Sequence, residues 1–113
     1  MEVSIVVPVY NSSKILDELN KRILNVMKTC NLQDSFELIL VNDSSSDDSW
    51  KKIKYLSGVY GYIKGINLSE NFGQHNSLMA GFNYCNGNFI VTMDDDLQHP
   101  PEYVPEIVEQ LKS

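Results

Sequence analysis

Only two cysteines, Cys30 and Cys85, stand in this sequence, far apart and without metal-ligand spacing. That excludes a disulfide framework and a cysteine metal cluster, and leaves reduced thiols used for packing. Basic residues are also scarce. Nine lysines and arginines against fifteen aspartates and glutamates give a net charge of −6, which argues against a nucleic-acid partner because phosphate binding needs a basic face. Long apolar runs are missing. Val3–Val9 begins almost at Met1 but is too short to span a bilayer, and it has no basic leader or small-residue cleavage site. No signal peptide or transmembrane segment is therefore expected in this chain, and the expected address is the cytoplasm. No glycine-rich loop follows that run, which removes the dinucleotide fingerprint and the phosphate loop with its lysine. No Ser/His/Asp set or activated cysteine is evident, and His75 and His99 lack ligand spacing and read as ordinary surface or helix-face histidines.

What remains is a chain of 113 residues, 42% hydrophobic and 21% charged, which suits one globular domain over 1–113. Strand-like and helix-like stretches alternate along it. Val3–Val7 is a β-branched run closed by Pro8 and suits a strand buried on both faces. Ser12 or Ser13 can cap a helix with Asp17 and Glu18 near its positive end, and Ile15, Leu19, Ile23, Val26 and Cys30 recur at helical spacing. Phe36–Val41 predicts a second strand, 42–46 a turn, and Ser46 with Asp47 and Asp48 the opening of a helix through Trp50, Ile53 and Leu56 that ends at Ser57-Gly58. A third strand is expected around Ile63–Leu68 and a helix from about Gln74 to Cys85, with Gly87 as its stop. Phe89–Met93 predicts the fourth strand, and Pro100-Pro101 introduce a last helix over 102–112.

This alternation implies right-handed crossovers and a parallel α/β sheet with flanking helices. Ligands of such sheets bind beyond the carboxyl ends of the strands. Polar clusters occupy those places: Tyr10-Asn11, Asp43, Asn71, and Asp94–Asp96. The run Asp94-Asp95-Asp96-Leu97-Gln98 concentrates negative charge at a strand end. It is either a solvated acidic turn or a site for a hard divalent cation, Mg²⁺ or Mn²⁺, with Asp94, Asp96 and Gln98 sharing one face of an extended segment. Asp43 can accept from a nucleobase N–H or form an Asx-turn. Tyr10 can stack on a base or pack, and Asn71 can meet a ligand or cap a helix. The fourth strand, without an outer neighbour, is an edge of the kind that pairs with a second copy, so a homodimer is expected.

Four segments together resemble glycosyltransferase family 2 on the GT-A, Rossmann-like fold, in the branch of polyprenyl- and dolichyl-phosphate glycosyltransferases. They are Val6–Asn11, Val41–Ser45, Leu68–Gly73 with Ala80-Gly81, and Met93–Glu102. Together with right-handed crossovers, the resemblance implies the strand order 3-2-1-4 with the first strand inside. It also implies the nucleotide-sugar-binding half of an enzyme that transfers a sugar from a UDP- or GDP-sugar with inversion. It implies that Pro8, Tyr10 and Asn11 line the nucleoside pocket and that Asp43 receives the base. Asp94 and Asp96 would form the DXD motif holding Mg²⁺ or Mn²⁺ against the diphosphate, with Gln98 serving the same metal. The acceptor would be a polyprenyl phosphate or a glycan, at the cytoplasmic face of a membrane in the full-length protein. The chain departs from the pattern at Asn42, which stands where the family has the first of two aspartates. It departs again at Glu70, where a basic residue commonly precedes Asn-Phe-Gly, and at Ser12, where glutamate often follows Tyr-Asn. Family members run well beyond 113 residues, so no catalytic residue is expected in this chain and it should be inactive alone. Two other readings compete: a non-catalytic nucleotide-binding domain, and a response-regulator-like signalling domain. The second would require an acidic pair after the first strand and a lysine at a late strand end, and Tyr10-Asn11 occupies the first of those places.

Overall fold

The computed structural model describes residues 2–68, 74–94 and 106, with the backbone alone for 74–77. Seven elements follow one another: β1 (Val3–Val9), α1 (Leu16–Thr29), β2 (Phe36–Asp43), α2 (Ser49–Val59), β3 (Ile63–Leu68), α3 (Gln74–Phe82) and β4 (Phe89–Thr92). The strands form one sheet in the order β3-β2-β1-β4, and all three pairings are parallel. The predicted last helix lies outside the described residues apart from Glu106.

The two faces of the sheet are packed differently. Val3, Ile5, Val7 and Val9 of β1, with Phe36, Leu38 and Leu40 of β2, meet Leu16, Leu19, Ile23 and Met27 of α1 and Ile53 and Leu56 of α2. Most of these side chains are fully buried, and each large aliphatic one contributes about 1.5–3 kcal/mol by leaving water. The opposite face is thinner. Val6, Ile39 and Val41 carry Leu78, Ala80 and Cys85 from α3 and the turn after it. Gly81 permits this close approach, since a Cβ there would sit 2.5 Å from Val6 Cγ1.

Several boundaries move from their sequence-based positions for identifiable reasons. β1 runs through Pro8 to Val9 instead of closing at it. Alternate residues of β1 turn their backbone groups toward β4, as the bonds Phe89 N–H to Glu2 O (2.9 Å) and Met93 N–H to Val6 O (3.0 Å) show. Pro8 shares that direction and lies beyond the last bonded step of β4, so its missing N–H removes no rung to β2. β2 also extends beyond its expected end. Asn42 and Asp43 are strand residues, paired with Asn67 and Leu68, because β3 continues beside them and offers ladder partners.

α1 begins at Leu16 without a side-chain cap. Neither Ser12 nor Ser13 caps it; the Ser12 N–H is held instead by Ser49 Oγ at 2.9 Å. Its buried stripe is Leu16, Leu19, Ile23, Val26 and Met27, with Ile15 and Cys30 only half-buried. α2 starts at Ser49 and passes through Gly58 to Val59. α3 ends at Phe82, where bonds from Tyr84 N–H to Gly81 O and from Cys85 N–H to Phe82 O tighten the last turn. Asp17 and Lys52, 2.5 Å apart, join α1 to α2 at the surface. Among the described residues no helix is long and apolar enough to cross a membrane.

Candidate functional site

The carboxyl ends of β1, β2 and β3 come level at one edge, through the pairs Val9↔Asn42 and Asp43↔Leu68. β4 reaches the same edge from the other side of β1. Thr92 pairs with Val6, and Asp94, half-buried, follows two residues later. The structure therefore brings Pro8, Tyr10, Asn11, Asp43 and Asp94 to one margin of the sheet. Asn71, Asp96 and Gln98, together with Asp95, lie outside the described residues. Among the described residues no group of three His, Cys, Asp or Glu side chains could hold a metal.

Tyr10 is 52% exposed immediately after β1. Asn11 has φ 51°, a left-handed backbone that asparagine tolerates better than most residues. Its carboxamide oxygen accepts from Ser46 N–H (2.8 Å), Ser46 Oγ (3.2 Å) and Asp47 N–H (3.3 Å), and its own N–H donates to Ser45 Oγ at 3.0 Å. Asn11 thus clasps the loop after β1 to the loop after β2, and its polar oxygen builds the wall of the site. Asp47 completes the clasp, accepting from Ser13 N–H at 3.3 Å and Ser49 N–H at 2.9 Å. Desolvation raises the Asp47 pKa, but the hydrogen bonds from Ser49 and Ser13 outweigh it and hold the carboxyl below the usual carboxylate range. An open cleft of about 530 Å³ lies between these two loops, lined by residues 11–15 with Asp47 and Asp48. Asn11→Ala removes the acceptor for two backbone amides. It is expected to cost about 1–2 kcal/mol at this exposed position, read as a lower midpoint in urea unfolding.

Asp43 closes β2 and is buried. Ser44 then turns away with φ 55° while its hydroxyl reaches Leu68 O at 3.3 Å. Beside it is a residue that sequence reasoning treated only as a departure from a pattern. Asn42 is 3% exposed. Its Nδ2 donates to Asn67 Oδ1 at 2.8 Å, and its own Oδ1 has no hydrogen-bond partner. A neutral amide at this position ties β2 to β3 at the margin of the site. The signal in the sequence was the polar residue itself, at the end of an apolar run. Burial raises the pKa of both Cys30 and Cys85 above the usual thiol value, which disfavours the thiolate form.

Comparison with known proteins agrees with this geometry. The model of the family "Glycosyl transferase family 2" matches residues 4–113. An undecaprenyl-phosphate 4-deoxy-4-formamido-L-arabinose transferase of Proteus mirabilis is 42% identical over 109 residues, covering 95% of this chain and 32% of that protein. The protein of the same name in Photorhabdus laumondii is 44% identical over 108 residues, covering 95% and 33%. This chain thus spans about a third of the length of the curated relatives it matches. Among solved structures, a mannosyltransferase from Pyrobaculum calidifontis in complex with GDP-Man and Mn²⁺ aligns with a TM-score of 0.75 at 20% identity, over 84% of this chain and 27% of that one. S. aureus TarS aligns with a TM-score of 0.72 at 23% identity, over 99% and 32%. At such identities the likeness shows the fold, a parallel sheet of the GT-A kind.

Proposed function

Since the chain belongs to glycosyl transferase family 2, we propose that it is the donor-binding part of a sugar transferase that takes a UDP- or GDP-sugar and inverts the anomeric carbon. The observation that carries this reading is the convergence of Tyr10, Asn11, Asp43 and Asp94 at the carboxyl edge of the sheet, where open parallel sheets bind nucleotides. Pro8, Tyr10 and the Asn11 clasp would shape the nucleoside side, and we assign Asp43 to accept from the base and Asn71 to the same ligand.

The chemistry of the donor set fits a hard cation. Asp94 supplies carboxylate oxygen at the strand end, and Asp96 and Gln98 would complete an all-oxygen set for Mg²⁺ or Mn²⁺. When bound, such an ion supplies Lewis-acid neutralisation of the leaving nucleoside diphosphate. Solved relatives of the fold carry Mn²⁺ with nucleotide ligands, in the mannosyltransferase with GDP-Man and in a Mycobacterium tuberculosis glucosyl-3-phosphoglycerate synthase with UDP. The relatives named for undecaprenyl phosphate support a polyprenyl phosphate acceptor for the whole protein.

Transfer with inversion needs an acceptor oxygen held in line behind the anomeric carbon, and the donor loops provide one side of that geometry. The chain by itself is therefore inactive. UDP- and GDP-sugars supplied with polyprenyl phosphate and Mn²⁺ should give background turnover only, and product above a heat-killed control would overturn the reading of residues 1–113 as a donor-binding part. β4 has no outer neighbour among the described residues, and Ile90 on it is 44% exposed. A second copy would pair along that edge. Light scattering at a strict monomer mass counts against the dimer.

A further inference from the structure

At the opposite, amino end of the sheet lies a polar cluster that the donor site does not use. Glu37 of β2 is 1% exposed. Its Oε2 accepts from Ser4 Oγ at 2.5 Å and from Asn86 N–H at 2.7 Å, and its Oε1 faces Lys64 Nζ at 2.6 Å. Ser4 Oγ in turn accepts from Gly87 N–H at 2.8 Å. Ser4 comes from β1, Glu37 from β2, Lys64 from β3, and Asn86 and Gly87 from the turn that enters β4. Glu37 stands six residues before Asp43 on the same strand, about 20 Å away at the strand rise, so it cannot touch a ligand at the carboxyl edge.

β4 needs an anchor that its own ladder does not provide. It is four residues long and is bonded to β1 alone among the described strands. A parallel ladder repeats every two residues, so a two-residue slip would keep Val91 facing the core and restore equivalent backbone bonds. The same slip would move Asp94 along the sheet by about 7 Å. The cluster removes this freedom. The amides of Asn86 and Gly87 each have a specific acceptor, and Gly87 is pressed so close to β1 that a Cβ would lie 2.6 Å from Ser4 N. Another residue slipped into that step would collide with backbone.

We propose that Glu37, acting with Ser4, is a positioning residue for the acidic loop after β4. By holding the Asn86 and Gly87 amides it sets the register of β4 against β1, and so the level at which Asp94 leaves the sheet. The inference rests on the donor-binding reading for its consequence, and on the cluster alone for the register.

The test uses the whole chain with Glu37→Gln and Ser4→Ala, and Ile53→Val as a core change on the other face of the sheet. In both cluster variants the amides of Phe89 and Val91, which face β1, should exchange with deuterium about tenfold faster, while those of Leu38–Val41 change much less, since local openings are separable from global ones. The gain in UDP or GDP affinity on adding Mn²⁺ should fall by roughly fivefold, with metal-free affinity unchanged within about twofold. Ile53→Val should loosen both strands alike and leave the metal gain intact. Equal loosening of β2 and β4 in the cluster variants, or equal loss of metal-free and metal-assisted affinity, would show a purely structural role and overturn the proposal. If the unaltered chain shows no metal gain, the donor reading fails instead, and the exchange pattern decides the register. Should Glu37→Gln not fold, Ser4→Ala carries both measurements.

Discussion

UDP or GDP is expected to bind this chain about tenfold more tightly in Mn²⁺ than in EDTA, a difference of about 1.4 kcal/mol, and Asp96→Ala is expected to abolish the difference. The effect is large because the acidic segment reverses its sign toward the ligand. Without a cation, Asp94, Asp95 and Asp96 repel a diphosphate, and binding depends on the base and ribose contacts near Tyr10 and Asp43. With a cation, the same carboxylates would hold the ion that attracts it. Asp96→Ala should therefore leave metal-free affinity equal or slightly higher, which separates loss of the ion from loss of the fold. Asp95→Asn should matter less, since alternate residues of an extended segment face opposite ways. Equal affinity with and without metal in calorimetric titration would remove the metal assignment.

Glu37→Ala should lower unfolding stability by about 3 kcal/mol, a substantial part of the 5–15 kcal/mol or so usual for a domain. The loss comes mainly from the donors left behind, the buried Ser4 hydroxyl and the part-buried Asn86 amide. The Lys64 side chain is 43% exposed, so its own pairing is screened by water and contributes less. The pH dependence has a definite direction. Burial pushes the Glu37 carboxyl up, but Lys64, Ser4 and the Asn86 amide together outweigh it and hold the group below its usual range. A carboxylate whose folded pKa is depressed stabilises fully above its unfolded value, about 4.3. That stability is lost as pH falls through the folded pKa. Thermal melts from pH 7 to pH 3 should show the unaltered chain losing stability below about pH 4.3, with Glu37→Gln losing less over the same window. Parallel melting curves for the two proteins would show that Glu37 is not the group responsible.

Much of the architecture was legible because it follows from local chemistry. β-branched runs separated by helical spacing predict a parallel sheet with right-handed crossovers, and the family resemblance adds the order with β1 inside, which is the one observed. The expected bounds of β3, Ile63–Leu68, needed no correction. The expected site residues that the structure describes all reached the carboxyl edge, since that placement follows from strand direction alone. Boundaries were less legible wherever a neighbour decided them. Pro8 looked like an end because proline lacks a donor, and it became interior because β4 stops before reaching it. Asn42 and Asp43 looked like a turn, and became strand because β3 runs alongside.

The sequence by itself determined the alternation of elements, the family, and the edge at which its polar residues gather, since these depend on periodicity and on motifs of adjacent residues; the order in the sheet needed the family resemblance as well. Tertiary structure alone decided how those residues are employed. Asn11 meets the 45–47 loop across 34 to 36 positions, and Ser4 meets Gly87 across 83. Glu37 gave no sign, within an apolar run, that one carboxylate would join three strands to the entrance of a fourth. Hydrogen bonds of that kind form between groups that only folding brings together, and no local pattern encodes them.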